Sequence, residues 1–181
     1  MISGADIMLC RDYRGQFIGG WTVTEKLNGC FAWWDGDGCR EFFSREGNLI
    51  QTPEWFRRGL PSVTLTGEIH AERGTGIGNN NTGYKKSMTA VVQGIKWFTA
   101  DIKFTCFDVP RAAGNWRERM AHCPSSLAIP YDTIRTGNDR NLAKVMKAFF
   151  DMGSEGAVFR HPDAEYQPGR CENLLRWKFH P

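Results

Sequence analysis

Short runs of β-branched and aromatic residues recur along this chain, and they constrain its fold more than any other feature. The runs are five to eight residues long, which is the length of a strand rather than of a typical helix. Several are bounded by Gly, Pro, Asn or Asp, the residues that favour turns. They cover residues 21–26, 30–35, 63–69, 102–109, 156–160 and 174–179. We predict that each run forms a β-strand.

A tight turn is predicted at residues 35–38, whose sequence is Asp-Gly-Asp-Gly. This segment separates the run at 30–35 from a further apolar stretch at 40–45. Because Asp-Gly is one of the strongest short-range signals for a hairpin turn, the two stretches are expected to pair. The sequence therefore predicts a β-hairpin directly after Lys26.

One amphipathic helix is predicted over residues 139–153. Its N-cap is predicted at Asn138 or Asp139, and Gly153 is the expected stop. Apolar side chains recur along it at helical spacing, at Leu142, Val145, Met146 and Phe149. Shorter helices are predicted to begin at Pro53, Lys86 and Asn115.

The order of these elements indicates the fold class. Strands and helices are interspersed without the strict strand-helix-strand rhythm of a parallel sheet. We therefore predict an α+β fold with mainly antiparallel sheets flanked by helices. With 181 residues, of which 41% are hydrophobic, the chain has material for one sizeable core, so we expect a single domain over residues 1–181.

Charge and composition leave the ligand class open. A formal net charge of +3 permits a nucleotide or nucleic-acid partner without requiring one. The first 15 residues have neither a basic start nor a long apolar stretch, and no apolar run of 18 residues follows. We expect a cytoplasmic protein with no membrane partner. The six cysteines include no CxxC pair, which argues against a structural zinc site.

The Gly- and Asn-rich segment 73–87 nearly matches a P-loop, GxxxxGK[ST]. However, Tyr84 intrudes between Gly83 and Lys85, and no apolar strand leads directly into Gly78. A Gly-rich polar run buries little that could offset the entropy of ordering it. We predict a mobile loop here and reject a P-loop ATPase.

Six short segments occur in one order: 25-EKLNG-29, 44-SREG-47, 65-LTGEI-69, 104-FTCFD-108, 154-SEGAVFR-160 and 174-LLRWK-178. Their order and spacing resemble the covalent nucleotidyltransferases, the superfamily of ATP-dependent DNA ligases, RNA ligases and mRNA capping enzymes. The likeness is greatest to small bacterial ATP-dependent DNA ligases that lack extra DNA-binding domains, and it spans roughly residues 20–178. It implies the nucleotidyltransferase, ATP-grasp-like adenylation fold.

Lys26 matches the lysine that, in this superfamily, attacks the α-phosphate of ATP and carries AMP as a phosphoramide. A free lysine is almost wholly protonated at pH 7, and presenting its neutral amine costs about 4 to 5 kcal/mol. The chemistry therefore requires surroundings that lower the pKa of Lys26, such as partial burial at a strand end next to a bound metal ion and other cations. Alone, Lys26 would be read as an exposed lysine in an edge strand. The other five segments favour the nucleophile.

The resemblance implies two carboxylates that bind Mg²⁺. Glu68 matches the glutamate that contacts the ribose or, through water, a metal ion, and Glu155 matches the carboxylate near the metal and the reactive lysine. Two carboxylates that converge from different strands suit Mg²⁺, which prefers oxygen ligands and keeps several waters.

The resemblance also implies residues that hold the nucleotide. Arg45 contacts the nucleotide and later helps to hold phosphate, and Phe107 stacks on the purine. Arg176 and Lys178, which alternate along one strand and so share a face, steer the phosphates. The remaining predicted contacts lie beside the reactive lysine, at Thr24, Glu25, Asn28 and Gly29. Asp108 is expected to fix the strand end and has no predicted catalytic role.

Several positions depart from the family pattern. Asn28 stands where DNA ligases almost always have Asp, Phe31 where many have a nucleotide-contacting arginine, and Thr66 where an acidic residue is usual. Arg176 stands where a lysine is usual. Family ligases continue past the last strand into an OB-fold domain, whereas this sequence ends at Pro181. We expect that domain to be absent. The chain is then an excised adenylation domain, a naturally minimal enzyme that borrows these functions from a protein partner, or a remnant that binds nucleotide without completing the reaction.

The sequence predicts an ATP-dependent, DNA-ligase-like adenylyltransferase acting in DNA repair, with nicked duplex DNA favoured over RNA as the substrate. Asn28 keeps an RNA ligase open, since some RNA ligases relax this position. GTP-dependent capping-type transfer is a further alternative. A non-catalytic module that binds nucleotide or nucleic acid is the alternative from another class.

Overall fold

The computed structural model describes residues 6–71, 91, 97, 102–135 and 139–179. Across these residues the chain forms ten strands and three helices with described bounds, and Val91 is also helical. The strands are β1 (Met8–Asp12), β2 (Thr22–Lys26), β3 (Cys30–Asp35), β4 (Phe42–Phe43), β5 (Leu49–Ile50), β6 (Thr64–Ala71), β7 (Ile102–Asp108), β8 (Tyr131–Thr133), β9 (Gly156–Arg160) and β10 (Gly169–Lys178). The helices are α1 (Glu54–Arg57), α2 (Trp116–Met120) and α3 (Asp139–Asp151).

The first five-stranded sheet has the order β1-β10-β9-β2-β8. All its neighbours pair antiparallel except β1 and β10, which are parallel. Strand β9 lies between β2 and β10, and its Gly156 is the register partner of both Lys26 and Lys178. Residues that are far apart in sequence therefore form one row across the sheet.

The second sheet also has five strands, in the order β5-β4-β3-β6-β7, and all its neighbours are antiparallel. Strand β3 pairs with β6 so that Phe31 is opposite Glu68. An irregularity in the β6–β7 register falls between Thr66 and Gly67.

Each sheet buries one face against its own hydrophobic cluster. Val23, Ala157, Phe159 and Leu175 belong to the cluster of the first sheet, and Met146 of α3 packs into it. Alternate residues of the second sheet bury the other cluster, among them Ala32, Trp34, Leu65, Ile69, Phe104 and Cys106. Because strand side chains alternate between faces, the neighbouring polar residues point to the opposite face of each sheet.

The two polar faces line a common cleft. The guanidinium carbon of Arg160, on β9, lies 6.0 Å from the ring centroid of Phe107 on β7. Beside the β2–β3 loop, the Gly29 amide donates a hydrogen bond to Glu68 Oε1 on β6 at 3.0 Å. Some of the residues with predicted chemistry, among them Gly29, Glu68 and Phe107, therefore lie between the two sheets.

Helix α2 is tied to the end of β7 by a buried ion pair. Arg119 donates from Nε to Asp108 Oδ1 at 2.8 Å and from Nη2 to Oδ2 at 3.0 Å, and these two side chains are 1% and 6% exposed. Asn115 begins the helix with a capping box, since its side chain accepts from the Glu118 amide while the Glu118 side chain accepts from the Asn115 amide. The expected role of Asp108 at the strand end is consistent with these contacts.

The predicted hairpin after Lys26 is confirmed by β3 and β4, and helices begin next to Pro53 and Asn115 as predicted. The stretch 40–45 contributes a strand only at Phe42–Phe43. Strands β1, β5 and β8 were not predicted, because they are short or polar. Three predicted features lie outside the described residues: the segment 73–87, the cap residue Asn138, and the helix predicted from Lys86 except for its residue Val91.

The coarse architecture is thus one mixed sheet and one antiparallel sheet, with few helices. In the described ranges, no helix is long and apolar enough to cross a membrane.

Candidate active site

Lys26 ends strand β2, and its ammonium contacts a carboxylate. Lys26 Nζ lies 2.6 Å from Glu155 Oε2, and Lys178 Nζ lies 3.0 Å from Glu155 Oε1. The Lys26 and Glu155 side chains are 21% and 23% exposed, so the pair is accessible from the cleft. One carboxylate therefore bridges two amines.

The close approach of these residues depends on Gly156. A Cβ atom at this position would lie 1.8 Å from the carbonyl oxygen of Trp177 on β10. Only glycine allows β9 to approach β10 this closely. The glycine therefore lets Glu155, which precedes β9, reach Lys26 on one side and Lys178 on the other.

The two lysines determine the charge state of Glu155. Burial alone would raise the pKa of this carboxyl, but hydrogen bonds and charge attraction from Lys26 and Lys178 lower it below its ordinary value. Glu155 is therefore ionised near neutral pH.

Glu68 lies on β6 beside the turn that follows Lys26. Its Oε1 accepts a hydrogen bond from Gly29, where an added Cβ would lie 2.3 Å from the Ile69 carbonyl oxygen. Burial raises the pKa of Glu68 to about 7, against the lowering effects of Lys26 and of the Gly29 amide. The two site carboxylates thus differ in charge state: Glu155 is ionised, and Glu68 takes up a proton near neutral pH.

Glu68 should make the metal-free protein less stable as pH rises. Since the pKa of the folded-state carboxyl is about 7 and its ordinary value is 4.5, the folded state holds the extra proton between these values. The stabilisation is complete below pH 4.5 and is lost as pH rises toward about 7. Glu68→Gln should remove this pH dependence, which amounts to up to about 3 kcal/mol in the free energy of unfolding across the window.

Denaturant unfolding across this pH window, in the presence of a chelator, checks the expectation. Glu172→Gln is the matched control, because Glu172 is 70% exposed and pairs only at the surface with Arg11. Identical pH slopes in wild type and Glu68→Gln would contradict it.

Thr24, two residues before Lys26, lies at the floor of the cleft. Thr24 is fully buried, and its Oγ1 accepts a hydrogen bond from Arg160 Nη1 at 2.8 Å. The Arg160 guanidinium also lies over the Trp116 ring at 5.0 Å, and Trp116 Nε1 donates to the Phe107 carbonyl oxygen at 2.7 Å. These contacts join Thr24 to Phe107 across the two sheets.

Sequence reasoning missed Arg160 and Val158. Both share a face of β9 with Gly156, and Val158, the register partner of Thr24, is half-buried in a strand whose other residues are buried. Val158 therefore offers an apolar surface on the cleft face of β9. The available signal was the alternation in 156-GAVFR-160, which puts a charged residue at the end of an apolar run.

Three further predicted residues lie elsewhere on the first sheet or in its β2–β3 loop: Arg176, Glu25 and Asn28. Arg176 donates from Nε to Asp12 Oδ1 of β1 at 2.7 Å, so it lies toward the β1 edge of the first sheet, on the strand face that it shares with Lys178. Strand alternation turns the Glu25 side chain away from the cleft face that carries Thr24 and Lys26. Asn28 is half-buried in the β2–β3 loop.

Arg45 follows β4 at the second sheet. Its guanidinium carbon lies 5.3 Å from the centroid of the Phe31 ring, and the Phe31 and Phe107 rings are 6.1 Å apart. The predicted arginine and the predicted stacking ring are therefore linked through Phe31.

A strand-end lysine paired with a carboxylate, between two sheets and beside an aromatic ring, is the arrangement expected of a covalent nucleotidyltransferase. The chain is 28% identical, over 183 aligned residues, to a DNA ligase of Haemophilus influenzae. The match covers 97% of this chain and 64% of that protein, so the chain spans just under two thirds of its relative. No protein-family model matches the chain.

Solved ligase structures have the same fold. A minimal-scaffold Lig E DNA ligase superposes with a TM-score of 0.75 at 25% identity, covering 95% of this chain and 68% of the other. The Chlorella virus DNA ligase-adenylate superposes with a TM-score of 0.70 at 21% identity, covering 94% of this chain and 66% of the other. The ligase domain of M. tuberculosis LigD superposes with a TM-score of 0.64 at 18% identity, covering 95% of this chain and 58% of the other. The resemblance to the ATP-dependent DNA ligases is confirmed.

Proposed function

We propose that this chain is the adenylyl-transferring part of an ATP-dependent DNA ligase and that Lys26 becomes covalently attached to AMP. The observation that carries the proposal is the contact of Glu155 with Lys26 at 2.6 Å and with Lys178 at 3.0 Å. An amine nucleophile beside a proton acceptor and a second cation is what lysine-based nucleotidyl transfer requires.

In the first step, the Lys26 Nζ lone pair attacks the α-phosphorus of ATP. A phosphorus–nitrogen bond forms, the bond from the α-phosphorus to the bridging oxygen breaks, and pyrophosphate leaves. Glu155 Oε2 is within hydrogen-bond reach of the ammonium proton that must depart before the attack. Lys178, on the other carboxylate oxygen, would supply a cation beside the same phosphates.

Glu68 and Glu155 together would hold Mg²⁺. In the described part of the chain, no cluster of three or more Asp, Glu, His or Cys side chains could hold a metal ion on its own. Two carboxylates still fit, since Mg²⁺ commonly takes one or two of them with waters and substrate phosphates. When bound, the ion would neutralise charge on the phosphates.

The base would lie between Phe107 and the half-buried Val158. Phe107 offers a half-buried ring for stacking, and the backbone at Thr24 and Glu25 on β2 would meet the edge of the base. Arg45 and Arg176 would serve phosphate or nucleic acid at the cleft margins. Asn28 and Gly29 lie in the β2–β3 loop directly after Lys26 and would contact the nucleotide beside it.

Nicked duplex DNA with a 5′-phosphate is the proposed acceptor of AMP. The curated relative named DNA ligase supports DNA over RNA. Asn28, which lacks the charge of an aspartate, favours RNA ligation as the second candidate.

The proposal is tested by measuring the intact mass of the denatured protein after incubation with ATP and Mg²⁺. A gain of one adenylyl group, removed again by added pyrophosphate, is expected, and GTP in parallel should give none. Transfer is then followed with 5′-phosphorylated nicked DNA and with the matching RNA nick. Reversible ATP binding with no retained mass would instead indicate a binding module, and a gain with GTP alone would indicate capping-type transfer.

A further inference from the structure

Phe31 stands in the cleft where a polar nucleotide contact would be expected. It is half-buried on the polar face of the second sheet and is the register partner of Glu68. Its ring lies between two groups with predicted nucleotide contacts, Arg45 at 5.3 Å and Phe107 at 6.1 Å. A ring in this position cannot itself bind phosphate, but it can hold a neighbouring cation that does.

Arg45 is that neighbour. It is exposed, and within the described ranges its guanidinium has the Phe31 ring as its contact and neither a hydrogen-bond acceptor nor an ion-pair partner. Five N–H donors are therefore available to a ligand. Arg45 is also among the cations whose charge lowers the pKa of Glu68, which places it within electrostatic reach of that carboxylate.

The backbone that carries Arg45 is itself held in place. Arg45 lies in the turn after β4, where Ser44 and Gly47 are joined by a backbone hydrogen bond of 3.0 Å. Ser44 Oγ accepts from the amides of Glu46 at 3.2 Å and Asn48 at 3.3 Å. With the backbone anchored, the remaining freedom of Arg45 is in its long side chain, and the Phe31 ring is the surface that limits it.

We propose that Phe31 is a positioning residue that holds the Arg45 guanidinium by a cation–π contact, so that its N–H donors face the ribose and phosphate of a nucleotide at Lys26. Arginine stacks readily on aromatic faces while its in-plane donors stay available to hydrogen bonds. The proposal rests on the proposed function for the identity of the ligand.

The test compares the KM for ATP in Lys26 adenylation with the rate at saturating ATP. Phe31→Leu keeps an apolar side chain of similar size but lacks the ring face, so KM should rise about threefold to tenfold while the saturating rate stays within about twofold. Phe31→Trp, which offers a better cation–π surface, should stay within about threefold of wild type. Phe17→Leu is the matched control, because Phe17 is 73% exposed on the β1–β2 loop.

A double-mutant cycle separates positioning from general packing. If Phe31 acts through Arg45, the variant Phe31→Leu/Arg45→Met should have the same KM as Arg45→Met alone. Effects that multiply, or a Phe31→Leu variant equal to wild type, would overturn the inference.

The same variants are titrated calorimetrically with ATP in the absence of turnover. If the wild type forms no adenylate, the proposed function fails, and the pattern of ATP dissociation constants across the variants still decides the role of Phe31. A wild-type protein that binds no ATP would overturn both.

Discussion

Lys26→Ala is expected to abolish covalent adenylate formation, the largest functional effect of any single change in this chain. The phosphoramide needs the Lys26 amine, and the neighbouring Lys178 Nζ already pairs with the other oxygen of Glu155 at 3.0 Å. Lys26→Arg is expected to be equally inactive, although it retains the positive charge beside Glu155. The paired results would show that nucleophilicity, rather than charge, is lost.

Both variants should remain folded. In Lys26→Ala, Glu155 keeps Lys178 as a partner, so the free energy of unfolding should fall by about 1 kcal/mol or less. Intact mass after ATP and Mg²⁺ measures the adenylate, and thermal unfolding measures the fold. Lys147→Ala is the matched lysine control, because Lys147 is 73% exposed and pairs with Asp151 on helix α3. An adenylate that persists in Lys26→Ala, mapped to another residue, would refute the assignment.

Arg119→Ala is expected to give the largest loss of stability, about 3 to 5 kcal/mol in the free energy of unfolding. Asp108 would then be a buried carboxylate without its bidentate partner, in a site where the two side chains are 1% and 6% exposed. Arg119 Nη1 also donates to the Gly114 carbonyl at 2.7 Å and to the Ala164 carbonyl at 3.2 Å, and both acceptors would lose this donor.

Denaturant unfolding checks this value, with Arg11→Ala as the control. Arg11 and Glu172 form an ion pair whose side chains are 51% and 70% exposed, so its loss should change stability by less than about 1 kcal/mol. The double variant Asp108→Asn/Arg119→Met should lose less than the sum of its two single changes, because it removes the uncompensated charge. Equal losses in Arg119→Ala and Arg11→Ala would contradict the expectation.

Much of the strand content could be predicted because its signal is local. Alternating apolar residues and the Asp-Gly turns predicted β2, β3, β6, β7 and β9, and the hairpin after Lys26. Strands β1, β5 and β8 were missed because two or three residues, or a strand with polar ends, carry little periodic signal. Their pairing depends on neighbours that are distant in sequence.

The residues of the candidate site likewise divide into those that sequence segments indicated and those whose position depends on distant partners. The ordered segments indicated Lys26, Glu68, Phe107 and Glu155, which the structure brings to one cleft. Arg176 could not be resolved from sequence, since its partner Asp12 lies on β1, 164 residues away, and the parallel pairing of β1 with β10 brings them together. Arg160 was missed because alternation along 156-GAVFR-160 indicates its strand face but not that a charged residue there will be buried.

By itself, the sequence predicted which residues carry the chemistry, and it determined which residues of one strand share a face, because side-chain alternation is a property of the local backbone. Only the tertiary structure decided their partners. Lys26 meets Glu155, 129 residues away, because β9 pairs between β2 and β10. That strand order and register are set by burying two separate hydrophobic clusters, a free-energy gain that exists only when distant segments assemble.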